Sequence, residues 1–192
     1  MNNNSTIRAA AREALKGNWG VAIVMYLIYV GITYGTGVIP FVGQGVSIFL
    51  GIPLGYSLSI AYLSMVRGQT VNIDNVFDAF RGNNFGNVFT TMLLVGCYTL
   101  LWSLLLIVPG LIKGYSYAMT PYILADTGVT NNEAIEESMR MMKGHKMRLF
   151  LMDLGFIGLI LLSILTLGIA LLWVMPYMMT SRAKFYQDLK GE

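Results

Sequence analysis

The only histidine of the chain, His145, stands in the run SMRMMKGHKMRLFLMD with Lys143, Lys146 and Arg148 around it. An imidazole can ligate a metal or move a proton near neutral pH, but each use needs partners. Zinc takes three or four ligands from the protein, whereas there is no second histidine and the single Cys97 lies in a distant apolar run. As a general base His145 would need a nucleophile or substrate group within reach, and no residue pattern supplies one. No metal site and no catalytic set is therefore expected. Asp153 is the second residue of interest, a carboxylate about two turns into an apolar segment, where buried charge is a functional candidate by default. Lys146 and Arg148 stand close enough before it to neutralise it by snorkelling. The third candidate is the polar-aromatic strip SYAMTPY, in which Tyr115, Tyr117, Thr120 and Tyr122 offer contacts to a lipid headgroup or a small polar ligand. Aromatics at an interface are also ordinary in membrane proteins.

The elements that position these residues are apolar. Of 192 residues 55% are hydrophobic and 12% charged, about half the charged share of a soluble domain. Nothing from Gly17 to Val66 carries a charge at neutral pH, a stretch of roughly 75 Å as helix, against a bilayer core about 30 Å thick. Gly82 to Ala125 is interrupted only by Lys113, and Leu149 to Ser181 only by Asp153. The first apolar segment is too long for a signal-peptide core and lacks a small-x-small cleavage site, so it is expected to be retained. Turns at Ile39 to Gly43, Val108 to Gly110 and Leu165 to Gly168 divide the stretches into six spans, at 19–39, 43–66, 86–108, 110–126, 147–165 and 168–187. With the first residues inside, twelve of the thirteen Lys and Arg fall on the cytoplasmic side and only Lys113 lies at the outer edge. That bias predicts a multi-pass protein of a bacterial cytoplasmic membrane with both termini cytoplasmic. Nucleic acid is not the expected partner of the basic charge.

The cytoplasmic connections look alike. ALKGNW, AFRGNNF and MMKGHKM each hold a basic residue, a glycine, then Asn or His. Before each glycine lies an amphipathic stretch, the third with Thr130 and Glu133 spaced as a capping box. Gly17, Gly82 and Gly144 are expected to stop these helices, which gives three internal units at 5–70, 71–128 and 129–190. In this reading Lys143, Lys146 and Arg148 meet anionic headgroups. The fold class is an all-α polytopic bundle of about six spans in three hairpins, each preceded by a cytoplasmic amphipathic helix. Gly31-x-x-x-Gly35, Gly51-x-x-x-Gly55 and Gly110-x-x-x-Gly114 let helices approach closely, within one subunit or in a homo-oligomer. Pro53, Pro121 and Pro176 fall in the second span of each unit, where they kink a helix.

The stretches IVPGLIKGYSYAMTPYILAD, AIEESMRMMKGHKMRLFLMDLGFIG and LTLGIALLWVMPYMMTSRAKFY, with AREALKGNWG near the start, resemble the integral membrane family labelled domain of unknown function 975, frequent in Gram-positive bacteria. The resemblance covers nearly the whole chain and implies a bacterial polytopic membrane protein, without a reaction, cofactor or catalytic residues. A phosphate loop, a zinc-protease helix and a serine nucleophile elbow are all missing from the sequence. The expected function is non-enzymatic, needing no cofactor and working through membrane lipids or another membrane protein at the inner interface. The alternative is a small transporter or export accessory with a path near the proline-bearing spans.

Overall fold

A computed structural model describes residues 3–37, 42–81 and 84–191. Among these are nine α-helices, one 3₁₀ segment at Ile73–Phe80 and no strand. The helices are α1 (Asn4–Leu15), α2 (Trp19–Gly37), α3 (Gly43–Val66), α4 (Phe85–Leu105), α5 (Ile107–Tyr117), α6 (Thr120–Thr127), α7 (Asn131–Met141), α8 (Lys146–Leu165) and α9 (Leu171–Lys190). Four of them, α2, α3, α4 and α8, are long and apolar enough to cross a membrane.

Small residues set how closely the helices fold back on each other. Along α2 and α3, a Cβ added at Gly51 would stand 3.3 Å from Thr33 and one at Gly55 would stand 3.7 Å from Tyr29. Ser47 donates to the Thr33 carbonyl at 2.8 Å, and the Tyr62 hydroxyl donates to the Ala22 carbonyl at 3.0 Å. These contacts run in opposite order along the two helices, which makes the pair antiparallel. Between α4 and α5 the approach is tighter: a Cβ on Gly110 would lie 2.6 Å from the Ser103 Cα. The Gly31 and Gly35 positions face open space. The α8–α9 pair is tied by Arg148 to Asp188 at 3.0 Å, Asp153 to Arg182, and Phe156 edge-on to Tyr177 at 5.0 Å.

Burial separates two kinds of surface. Ile7, Ala11 and Leu15, four apart on α1, are enclosed with Leu54, Leu58 and Tyr62 of α3 and Phe185 and Tyr186 of α9. In contrast Leu27, Leu101, Leu104, Leu151, Leu161 and Leu162 stand exposed on α2, α4 and α8. A soluble monomer rarely leaves so wide an apolar surface uncovered. The apolar helices are those of a chain compatible with a multi-pass membrane protein.

The expected fourth span, 110–126, is not one helix. Pro121 has no N–H to donate, and its ring excludes the Tyr117 carbonyl from a helical bond. Accordingly α5 stops at Tyr117 and α6 restarts at Thr120. The expected sixth span corresponds to α9, which is twenty residues long but carries Arg182, Lys184, Asp188 and Lys190 in its second half. It is not among the four long apolar helices. The second hairpin also starts elsewhere than expected. After Arg67 the chain turns back along α3: the Ala79 N–H donates to Ser57 Oγ at 2.8 Å, and Phe80 packs on Phe85 at 5.6 Å. Phe85 and Phe89 then meet Phe49 at 5.7 and 5.3 Å. Phe49 lies roughly 27 Å along α3 from Arg67, so α4 begins far from the charged end of α3 and runs parallel to it. The apolar residues Val76 and Ala79 cause this return by burying themselves against the bundle while Asp74 and Asp78 stay exposed.

Candidate functional site

The break between α5 and α6 is held open by a residue from α7. Ser138, fully buried, donates to the Ser116 carbonyl at 2.8 Å and accepts from the Met119 N–H at 3.2 Å. One hydroxyl thus serves a donor and an acceptor that a continuous helix would pair internally. The first residue of α7 is tied to α4 in a similar way, since the Asn131 N–H donates to Thr91 Oγ1 at 2.7 Å. Thr130 occupies the N-cap position of α7 but makes no side-chain cap bond.

Beside the break lies a pair of opposite charges. Arg182 of α9 grips Asp153 of α8 with two nitrogens, Nε to Oδ1 at 3.2 Å and Nη2 to Oδ2 at 2.6 Å. The carboxylate side chain is 11% exposed and the arginine 38%. Tyr115 of α5 lies against the same carboxylate and packs edge-on against Phe150 at 5.8 Å. The arginine's third nitrogen, Nη1, has no hydrogen-bond partner among the described residues. Its side chain forms part of a groove of about 370 Å³ between α4 and α5, with Tyr115, Thr99 and Ser103 on the walls and Gly110 and Gly114 giving depth. Such a two-point grip orients a guanidinium by its planar geometry. A second groove of about 300 Å³, between α5 and α8, shares Tyr115 and has Lys146 at its edge beside Val108, Leu111 and Phe150.

A family model described as a protein of unknown function (DUF975) matches residues 1–113 and 104–192, the whole chain between them. The chain belongs to the DUF975 family. Nothing among curated proteins or solved structures matches it.

A further polar cluster of this DUF975 protein joins three helix ends. Asp126 of α6 accepts from Arg67 at 2.8 and 2.6 Å, from Lys190 at 2.9 Å and from the Tyr186 hydroxyl at 3.0 Å. The Arg67 guanidinium, with Lys190 and Tyr186 behind it, holds this carboxyl well below the usual carboxylate range despite the opposing effect of burial. Between the two clusters Tyr122 stacks on Tyr186 with ring centroids 5.1 Å apart.

Of the residues singled out in the DUF975 sequence, Tyr115, Tyr122 and Asp153 gather around Arg182. Tyr117 is buried toward α4, near Tyr98 and Trp102. Thr120 is fully buried, and its hydroxyl has no partner among the described residues. Asp153 takes its cation from α9 and not from Lys146 or Arg148. Arg148 corrects the expectation of a headgroup contact: it turns inward to Asp188 and stacks on Phe185 at 5.1 Å. Lys143 is exposed at the α7–α8 joint, and His145 is the N-cap of α8 with no side-chain cap bond. Gly17 and Gly144 have φ of +86° and +84°, the left-handed conformation that a glycine helix stop adopts. Gly82 lies outside the described residues. Sequence reasoning did not single out Arg182, Ser138 or the Asp126 cluster. The spacing of four in Arg182, Tyr186 and Lys190, matched by Tyr122 and Asp126, was the signal for the clusters.

Proposed function

We propose that this DUF975 protein is a non-enzymatic, multi-pass protein of a bacterial cytoplasmic membrane that binds an anionic phospholipid headgroup at Arg182. The observation that carries the reading is the arginine itself. Asp153 fixes it through two nitrogens while its side chain forms the wall of a groove beside exposed apolar helix surface. Charges inside membrane helices pair with each other and face protein or a polar cavity, and a fixed guanidinium matches phosphate geometry. Tyr115 and Ser103 add hydroxyls beside it, and Lys146 supplies a second cation one groove away. The excess of Lys and Arg in the first sixteen residues, in the 127–148 connection and in the last turns of α9 supports cytoplasmic termini. Three units, each a short helix followed by a helix pair, remain the proposed internal organisation, with the second joint displaced along α3.

The test is lipid retained through purification from a bacterial membrane in mild detergent, measured by mass spectrometry for the native chain and for Asp153→Asn/Arg182→Gln. The double replacement removes both charges and leaves neither alone in the fold. The native chain is expected to enrich phosphatidylglycerol over phosphatidylethanolamine, and the double variant to lose the enrichment while keeping its thermal transition. Equal lipid ratios in the two proteins would refute the headgroup site.

The break at Ala118 and Met119, next to the charge pair, favours one second reading, a small transporter, because discontinuous helices frame transporter sites. Flux into proteoliposomes that vanishes in Asp153→Asn/Arg182→Gln would select it.

A further inference from the structure

A larger groove than the one at Arg182 runs between α3 and α4. Its volume is about 730 Å³, and its lining follows α3 from Gln44 to Ser59, roughly 22 Å of helix. The parallel course of the two helices creates it. Pro121 of α6 adds to its lining, and Gly51, Gly55 and Gly96 leave the space between α3 and α4 without side chains. Thr33 and Tyr29 of α2 back the two α3 glycines and form the floor. A Cβ placed on Gly96 would meet nothing within 4 Å.

Among the described residues no charged one lines this groove, so they give it no means to hold a headgroup by charge. Both walls are helices long and apolar enough to cross a membrane, which puts hydrocarbon at the opening. A helix of a second copy does not fit inside. With side chains a helix is about 10–12 Å across, which over 22 Å takes roughly 1,700–2,500 Å³, more than the 1370 Å³ of open space between the walls. An extended hydrocarbon chain is narrow enough, and one leaflet's worth, about 15 Å, is shorter than the slot. At one end the Gln44 amide, exposed and without a hydrogen-bond partner among the described residues, can donate to an ester carbonyl.

We propose that the α3–α4 groove is a slot for one acyl chain of a membrane phospholipid, held lengthwise with its ester end at Gln44. It rests on the membrane reading but is independent of the headgroup site at Arg182. The variant that tests it is Gly96→Phe, which fills the slot where nothing stands in the way, with Gly158→Phe of α8 as a control at an equally open position. Each protein is loaded with dioleoylphosphatidylglycerol in detergent, and bound lipid is counted by native mass spectrometry during stepwise removal. Displacing two methylenes from the slot lowers lipid affinity about tenfold. The native chain and Gly158→Phe are expected to retain one lipid more than Gly96→Phe, and Asp153→Asn/Arg182→Gln to retain that lipid too. Equal retention by Gly96→Phe and the native chain overturns the proposal, and so does a change in oligomeric state with no change in lipid.

A second measurement needs no variant. Cys97, the single cysteine, is exposed on the groove wall, so an occupied slot slows its alkylation by N-ethylmaleimide. Stripping lipid from the native chain is expected to speed the reaction about tenfold. An unchanged rate overturns the proposal whether or not Gly96→Phe folds.

Discussion

Replacing Asp126 by asparagine keeps the shape of the side chain and removes the charge that holds α3, α6 and α9 together. The carboxylate accepts two bonds from Arg67 and one each from Lys190 and Tyr186, and it is only 11% exposed. A hydrogen bond to a charged group contributes about 1.5–3 kcal/mol, and such terms do not add fully within one cluster. The amide retains one acceptor oxygen, so the loss is that of one short Arg67 bond plus most of the attraction of Lys190. That is about 3 kcal/mol, less than the cost of opening a fully enclosed pair because Arg67 and Lys190 remain 26% and 30% exposed. For a chain of this size the apparent Tm should fall by about 6–12 °C. The assay is thermal unfolding in detergent, followed by the loss of the monodisperse peak on size exclusion. The direction with pH follows from the lowered pKa. A depressed carboxyl contributes its stability above the unfolded-state value, about 3.9 for Asp, and loses it as pH falls from there through the folded-state value. The gap between the native chain and Asp126→Asn should therefore be full at pH 7 and narrow progressively below about pH 4. A Tm within about 2 °C of native at pH 7, or a gap that does not narrow in acid, would refute the argument.

Other changes read different parts of the fold. Ser138→Ala leaves the buried Met119 N–H without its acceptor and should cost about 1–3 kcal/mol, whereas Thr120→Val removes a hydroxyl that has no partner among the described residues and should leave the Tm level or raise it. If both lower the Tm equally, Ser138 is not supporting the break. Gly144→Ala places a side chain at φ +84° and should cost about 1–2 kcal/mol, while Gly20→Ala, in open space within α2, should gain about 0.5–1 kcal/mol. Both are read by the same thermal assay. Gly110→Val drives a branched side chain into Ser103 and should abolish the monodisperse peak, while Gly86→Val, at an open position, should not.

The four long apolar helices were legible because a run without charge leaves a chain few alternatives in a bilayer. The glycines at 17 and 144 were legible for a local reason: a basic residue, then glycine, ends a helix by rules that need no tertiary structure. The partner of Asp153 was not. Arg148 is five residues before it on α8, roughly 7.5 Å along the axis, and there meets Asp188, six residues beyond Arg182 on the same helix α9. Arg182 is distant in sequence and becomes the partner only when α9 folds back. Pro121 was visible as a kink, but a kink and a break differ in whether another element can serve the freed backbone. Ser138 decides that, and its role depends on where α7 lies. The return of residues 73–80 along α3 was hidden for the same reason. Its alternation of apolar and acidic residues fits a surface helix equally well until Ser57 accepts the Ala79 N–H.

The position of α1 has a consequence for synthesis. Asn4 donates to the Arg148 carbonyl, and Tyr177 donates to the Arg8 carbonyl across 169 residues of chain. These partners are synthesised long after α1. At about 5–20 residues per second, α1 waits roughly 8–35 s before the surface that buries Ile7, Ala11 and Leu15 is complete. During that interval its apolar stripe is open to chaperones, to the bilayer surface or to a neighbouring chain. Helix α1 is thus made well before the α8 and α9 surface on which it docks.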